Sequence, residues 1–267
     1  MMAGAVQLLT TRENVLESMV YAAYGADQNA ETIIVLHGSP GDKNDLSVLG
    51  AALADSYRVY ALDLPCFGEQ GLNSDDCGID GAADAVATFM DEQSIEKAHV
   101  LGYSWGGGVA QTFAARYPEK TQTLTLLASM GLPEGEITGS YRTERIRTFA
   151  AYPFVVYYPG VFGKGISWRE GFMRSYLETD LRTTRASLAH IEAPTLVLHG
   201  TRDTIVEPWV AEAHAQLIQK SELVWFTGNH HTVYSNVTEI SAAIHAFIEQ
   251  HTTKGAEAGL GPIIKAP

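Results

Sequence analysis

Cysteine is scarce in this sequence of 267 residues, which contains only Cys66 and Cys77. Two thiols are too few for a zinc cluster or for a framework of several disulfides. Long apolar runs are also missing, and the longest, such as Thr32–Leu36, suit a buried strand and not a membrane span. The first residues lack a basic segment followed by an apolar one, so no signal peptide is expected and the default expectation is a cytoplasmic location.

Positive charge is scarce as well. Lys and Arg number 18 against 31 Asp and Glu, which gives a formal net charge of −13. Neither nucleic acid nor anionic lipid is attracted to an acidic surface, so neither nucleic acid nor a membrane is expected as a partner. A small-molecule substrate is expected instead, and the sequence leaves the oligomeric state open.

Several motifs of metal and cofactor chemistry are absent from the sequence. It contains no G-x-x-x-x-G-K-[ST] phosphate loop and no H-E-x-x-H, C-x-x-C or EF-hand spacing. Its nine histidines show no ligand spacing apart from one adjacent pair. No metal and no organic cofactor are therefore expected.

Short β-branched runs alternate with helix-like stretches along the chain, a pattern typical of an α/β fold. Val6–Thr10 and 18–24 suggest an opening antiparallel pair, and later runs suggest buried parallel strands because they are almost continuously apolar. The expected strands after the opening pair are 32–37, 57–64, 98–103, 123–127, 194–198 and 223–226.

Residues 132–180 interrupt this alternation and hold ten of the chain's aromatic residues. A long insertion in a regular α/β pattern commonly covers a site, so we interpret 132–180 as a cap subdomain. Residues 1–131 and 181–251 would then form the core domain, and 252–267 a flexible tail. We expect five aromatic residues to line a substrate pocket, although for most of the cap rings packing within the cap itself is an equal alternative. They are Tyr103, Tyr152, Phe154, Tyr158 and Trp168.

The strongest local signal is Gly102-Tyr103-Ser104-Trp105-Gly106, a G-x-S-x-G sequence. It follows an expected strand and precedes an expected helix, as a sharp turn that exposes a nucleophilic serine requires. A serine hydroxyl needs a base to take its proton, and the base needs a third group to orient it. Further along the chain, one strand runs into a loop with Asp203 and the next into a loop with His230 and His231.

The order serine, aspartate, histidine resembles that of the α/β-hydrolase superfamily, and the resemblance extends from about residue 6 to residue 248. Further matching segments are His37-Gly38-Ser39-Pro40-Gly41 and 63–68. The resemblance implies a mostly parallel eight-stranded α/β sheet flanked by helices, with a helical cap inserted after the sixth strand. Cys66 stands where the family commonly has glycine, which we interpret as a packing variation.

The resemblance also implies roles for individual residues. Ser104 would be the nucleophile and Asp203 the acid. Because 228–231 resembles the family's Gly-x-Gly-His loop, we expect His231 rather than His230 to be the base. The oxyanion would be held by the backbone N–H groups of Trp105 and Ser39, since Pro40 has none.

These features predict a serine hydrolase, with a carboxylic-ester hydrolase of the lipase or esterase kind favoured. Serine at position 104 argues against haloalkane dehalogenases and epoxide hydrolases, which resemble the chain elsewhere. An amidase or aminopeptidase, a lactonase, an acyltransferase, or a cofactor-free lyase or peroxidase remain alternatives, because one scaffold hosts many chemistries. A ligand receptor that keeps the triad with negligible turnover is a third class.

Overall fold

Apolar and β-branched runs form the strands of a single sheet in the computed structural model, which describes residues 19–25, 30–72, 74–132, 140–158 and 165–252. Its order is β1-β3-β2-β4-β5-β6-β7. All neighbouring strands are parallel except β1 and β3, which are antiparallel. The strands are β1 (Tyr21–Tyr24), β2 (Thr32–Leu36), β3 (Arg58–Leu62), β4 (Ala98–Tyr103), β5 (Thr121–Leu127), β6 (Thr195–Gly200) and β7 (Ser221–Phe226).

Helices cover both faces of this sheet. One apolar cluster packs residues of α2, α3 and α7 against the strands, and a second packs residues of α1 and α8 against the opposite face. The helices are α1 (Ser47–Leu53), α2 (Ile79–Glu92), α3 (Trp105–Arg116), α4 (Tyr141–Tyr157), α5 (Ile166–Glu178), α6 (Thr184–Leu188), α7 (Pro208–Leu217) and α8 (Val237–Thr252). Among the described residues no helix is long and apolar enough to cross a membrane.

The α/β architecture expected from the sequence is confirmed, with a difference in strand count. The described residues form seven strands, whereas eight were expected. The missing strand is the expected one at 6–10, which lies outside the described residues. The strands at 32–36, 98–103 and 121–127 are found within two residues of their expected bounds.

The segment between β5 and β6 contains α4, α5 and α6 and, in its described part, no strand. Helices α4 and α5 pack against each other. This arrangement is compatible with a helical cap, but the boundaries 132–180 stay a prediction. Of the expected tail, only Thr252 lies within the described residues, as the last residue of α8.

Cys66 and Cys77 are joined by a disulfide, with their Cα atoms 5.6 Å apart. The interpretation of Cys66 as a packing variation is therefore wrong, because its sulfur forms a covalent link. The bond closes the loop that leads from β3 into α2. The cytoplasmic location expected by default stays a prediction.

Candidate active site

Ser104 occupies the sharp turn between β4 and α3. Its φ of 53° and ψ of −117° lie in a region that non-glycine residues rarely adopt. The two glycines of the motif permit this turn: a Cβ on Gly102 would strike the carbonyl oxygen of Gly106, and one on Gly106 would strike the carbonyl oxygens of Leu36 and His37. The turn therefore holds the serine at the carboxyl edge of the sheet, where the residue is half-buried.

Three side chains from three strand ends meet at this edge. Nε2 of His230 lies 2.9 Å from Oγ of Ser104, and Nδ1 of the same ring lies 2.7 Å from Oδ2 of Asp203. Ser104 follows β4, Asp203 follows β6 and His230 follows β7. This is the connectivity of nucleophile, base and orienting acid that acyl-transfer triads share.

The contact with Ser104 is made by His230 and not by His231, which corrects the sequence-based choice. Asn229 caps a 3-10 helix at His230–Tyr234 by accepting a hydrogen bond from the backbone N–H of His231 at 3.0 Å. The chain turns at this cap, so that His230 is buried while His231 is exposed and stacks on Tyr234. The Gly-x-Gly-His comparison therefore pointed to the histidine one residue after the one that contacts Ser104.

Asp203 is almost fully buried, and its carboxylate accepts several hydrogen bonds. Oδ1 accepts hydrogen bonds from the backbone N–H groups of Ile205 at 2.9 Å and Val206 at 3.0 Å. Burial alone would raise the pKa of Asp203, but the hydrogen bond from His230 and those from the backbone hold that pKa below its usual value. Asp203 is therefore charged at neutral pH and can orient the imidazole.

His199 is a second buried histidine beside this carboxylate, and sequence reasoning missed it. Its Nε2 lies 3.6 Å from Oδ2 of Asp203 and donates to the carbonyl oxygen of Val206 at 2.9 Å. Burial lowers the pKa of His199, which keeps the ring neutral. It therefore supports the loop that carries Asp203 without adding a charge.

The loop after β2 lies against the nucleophile. A Cβ on Gly38 would lie 3.2 Å from the Cβ of Ser104, so a side chain there would require its neighbours to shift by a few tenths of an ångström. The next peptide unit carries the N–H of Ser39. Trp105 begins α3, where the first N–H groups of a helix have no partner within the helix. Both expected oxyanion donors thus belong to backbone next to Ser104, and their role stays a proposal.

A buried ion pair holds this loop to the loop after β3. Asp63 is fully buried and accepts from the backbone N–H of Lys43 at 2.7 Å, from Nζ of Lys43 at 3.1 Å and from the backbone N–H of Glu69 at 2.8 Å. Nζ of Lys43 also donates to Glu69 at 2.8 Å. These bonds fix the position of the 37–43 segment relative to the sheet.

Helix α5 and the residue that follows it contact the same region, through Ser175 and Thr179, which sequence reasoning missed. Oγ of Ser175 lies 3.3 Å from Oγ of Ser39, and Nε1 of Trp105 donates to Oγ1 of Thr179 at 3.2 Å. Single polar residues in a helix carry no sequence signal of such a contact, since it depends on how the helix docks.

The five aromatic residues expected to line the pocket differ in how deeply they are buried. Tyr103 is buried, packs its ring against His230 and donates to the carbonyl oxygen of that residue at 3.2 Å. Tyr152 and Trp168 are half-buried. Phe154 and Tyr158 are exposed and stack on each other, so they form part of the outer surface in this structure and do not line an enclosed pocket.

A cavity of about 410 Å³ lies elsewhere, between α7 and β7, and none of the residues that line it belongs to the Ser104–His230–Asp203 group. The candidate site is therefore the group of side chains at the sheet edge and not this cavity. Among the described residues no group of three or more His, Cys, Asp or Glu is arranged to hold a metal ion.

Comparison with known proteins is consistent with this geometry. A family model described as alpha/beta hydrolase fold matches residues 31–171, and one described as TAP-like protein matches 175–258. The chain is 39% identical over 124 residues, 46% of its own length, to a dihydrolipoyllysine-residue acetyltransferase component of the acetoin cleaving system from Cupriavidus necator. The match spans about a third of that relative's length, 32%.

Two further similarities extend over most of the chain. A pimeloyl-[acyl-carrier protein] methyl ester esterase from Neisseria meningitidis is 28% identical over 244 residues, which covers 81% of this chain and 76% of that protein. A thermophilic esterase from Thermogutta terrifontis has a similar structure, with a TM-score of 0.72, 22% identity and coverage of 92% of this chain and 98% of that one. At that identity the structural likeness shows the fold alone.

Proposed function

Because this chain belongs to the α/β hydrolase fold family, we propose that it is a serine hydrolase that cleaves a small apolar or aromatic carboxylic ester through an acyl-enzyme on Ser104. The observation that carries the proposal is the chain of contacts from Asp203 through His230 to Ser104, at 2.7 Å and 2.9 Å. Relatives whose names include esterase add support for the ester as the substrate class.

The proposed reaction has two steps. His230 takes the proton of Ser104 as its Oγ attacks the ester carbonyl, and the N–H groups of Ser39 and Trp105 stabilise the negative oxygen. The carbon–oxygen bond to the alcohol then breaks, and the alcohol leaves with the proton from His230. Water, deprotonated by the same histidine, attacks the acyl-enzyme and releases the carboxylic acid and the serine.

Asp203 serves this cycle through His230. Its carboxylate accepts the Nδ1–H of the ring, which fixes the tautomer whose Nε2 can accept the serine proton. The charged carboxylate also stabilises the imidazolium that forms in both steps.

The test is hydrolysis of p-nitrophenyl esters of increasing acyl length by wild type and Ser104→Ala, combined with labelling by a fluorophosphonate probe. The proposal predicts turnover that peaks at one acyl length, labelling of wild type, and loss of both in Ser104→Ala. Labelling without turnover of any ester would retain the serine nucleophile and reject the ester substrate. Absence of both in wild type would reject the enzyme and favour a receptor.

Acyl transfer to an acceptor other than water is a second candidate, favoured by the 39% identity to an acetyltransferase component. The same acyl-enzyme would form, and an alcohol or thiol would replace water in the second step. Adding such acceptors to the p-nitrophenyl ester assay distinguishes the two: a transferase yields the new ester or thioester in preference to free acid, whereas a hydrolase yields acid.

A further inference from the structure

Helix α4 exposes an unusual number of apolar side chains. Ile146 and Phe149 are 72% and 74% exposed, and Phe154 and Tyr157 are 61% and 65% exposed. Among the side chains described in this helix, only that of Val156 is buried. We use the name "outer face of α4" for Arg142, Ile146, Arg147, Phe149, Pro153, Phe154 and Tyr157, all of them exposed.

The helical spacing places five of these seven residues in a continuous stripe, with Arg147 and Phe154 beside it. Positions 142, 146, 149, 153 and 157 follow one another at intervals of three or four residues, which places them on one side of a helix. Soluble proteins rarely leave contiguous apolar surface exposed unless it contacts something. With more than half of their surface exposed, Ile146, Phe149, Phe154 and Tyr157 protrude from the helix.

The charge of α4 differs from that of the whole chain. The helix contains Arg142, Arg145 and Arg147 but one acid, Glu144, in a protein with a net charge of −13. All three arginines lie in its first half, at the end where the helix dipole is positive and favours acidic residues. The helix dipole therefore does not explain them; Arg145 and Arg147 have partners within the protein, and no described contact accounts for Arg142.

Two of these arginines are available at the surface. Arg142 and Arg147 are exposed, and Arg147 also pairs with Glu144 at 2.7 Å. Arg145 points toward α5, where it donates to the carbonyl oxygen of Tyr176 at 3.2 Å. Arg142 lies at one end of the apolar stripe and Arg147 lies beside it, so both guanidinium groups can contact phosphate while the stripe contacts apolar matter.

We propose that the outer face of α4 docks on a phospholipid surface, with Ile146, Phe149 and the neighbouring rings in the acyl boundary and Arg142 and Arg147 on lipid phosphates. A bilayer accepts protruding apolar side chains without a matched pocket, whereas a protein partner would need one. The acidic remainder of the molecule does not prevent this, because at physiological ionic strength charges beyond about 8 Å are screened. The inference does not depend on the proposed ester hydrolysis.

The test measures flotation of the full chain with vesicles, in physiological salt. The vesicles consist of phosphatidylcholine alone or of equal parts phosphatidylcholine and phosphatidylglycerol. Wild type is expected to float with the mixed vesicles. The double variant Ile146→Ser/Phe149→Ser should bind them at least about tenfold more weakly, and Arg142→Gln/Arg147→Gln should lose the preference for the mixed vesicles. The matched control is Val48→Ser, which removes a 64% exposed apolar side chain from α1 and should bind as wild type does.

Three results would overturn the proposal. They are no flotation of wild type with either vesicle, equal loss of binding in Val48→Ser, and unchanged binding in Ile146→Ser/Phe149→Ser. A concentration-dependent dimer in light scattering that the serine variants abolish, without vesicle binding, would show instead that a second copy covers this face. Thermal melting of each variant by circular dichroism keeps loss of binding separate from loss of fold.

Discussion

Nδ1 of His37 donates a hydrogen bond to the carbonyl oxygen of Gly38 at 2.7 Å. Nε2 of the same ring accepts the backbone N–H of Leu64 at 3.1 Å, so the neutral tautomer with its proton on Nδ1 satisfies both contacts. Burial lowers the pKa of His37, which favours that neutral form. The peptide unit held by this bond is the one that carries the N–H of Ser39, so His37 positions a proposed oxyanion donor.

Substitution of His37 should therefore slow the chemical step. We expect His37→Ala to lower kcat for a p-nitrophenyl ester about tenfold to a hundredfold with KM little changed, because the oxyanion forms only in the transition state. His37→Asn, whose amide can still donate to Gly38, should recover part of that loss. A kcat equal to that of wild type in His37→Ala would show that the peptide is held by other contacts.

Gly106 and Gly108 of α3 form a matched pair for comparing how an added Cβ changes the free energy of unfolding. A Cβ on Gly106 would meet backbone carbonyl oxygens of Leu36 and His37, which cannot rotate away, whereas the atom nearest to a Cβ on Gly108 is Cγ2 of Ile79 at an ordinary 3.6 Å. Gly106→Ala should lower the free energy of unfolding by at least about 2 kcal/mol. Gly108→Ala should raise it by about 0.5–1 kcal/mol, because alanine is the better helix former. Urea unfolding measures both, and equal effects would show that the close approach at Gly106 does not constrain the turn.

The burial of His214 should make the free energy of unfolding depend on pH. It is fully buried, and neither ring nitrogen has a hydrogen-bond partner among the described residues. Burial, together with the nearby His199, lowers its pKa from 6.5 to about 3. Between these two values the unfolded chain binds the proton and the folded chain does not, so this residue makes stability fall as pH decreases from about 6.5 toward 3.

Replacing His214 by leucine should remove that dependence. At pH 5 we expect the free energy of unfolding of His214→Leu, measured with urea, to exceed that of wild type by about 1–3 kcal/mol. The reason is that the substitution removes an unpaired buried polar group and keeps the volume. The difference should shrink above pH 7. His190→Leu, at an exposed histidine, is the control and should leave the pH profile unchanged. A His214→Leu profile parallel to that of wild type would contradict this account.

The parts of the fold and site that depend on local sequence could be predicted. The parts that depend on how a loop or helix packs against the rest of the protein could not. The strand at 98–103 and the glycines around Ser104 specify their own geometry, because the tight turn requires residues without a Cβ. The choice between His230 and His231 depended on one cap, in which Asn229 turns the chain, and a one-residue shift reverses which side chain points inward. The exposure of Phe154 and Tyr158 depends on how α4 sits on the protein, which periodicity does not specify.

The comparison of His230→Ala with His231→Ala tests the central claim most directly. The two residues are adjacent, yet only His230 contacts Ser104 and Asp203, so the pair controls for local disruption of the loop. We expect His230→Ala to lower kcat for the best p-nitrophenyl ester about a thousandfold or more, while His231→Ala stays within about threefold of wild type. Fluorophosphonate labelling of Ser104 should slow in parallel in the first variant alone. Loss of turnover and labelling in His231→Ala, with His230→Ala active, would contradict the assignment of His230 as the base.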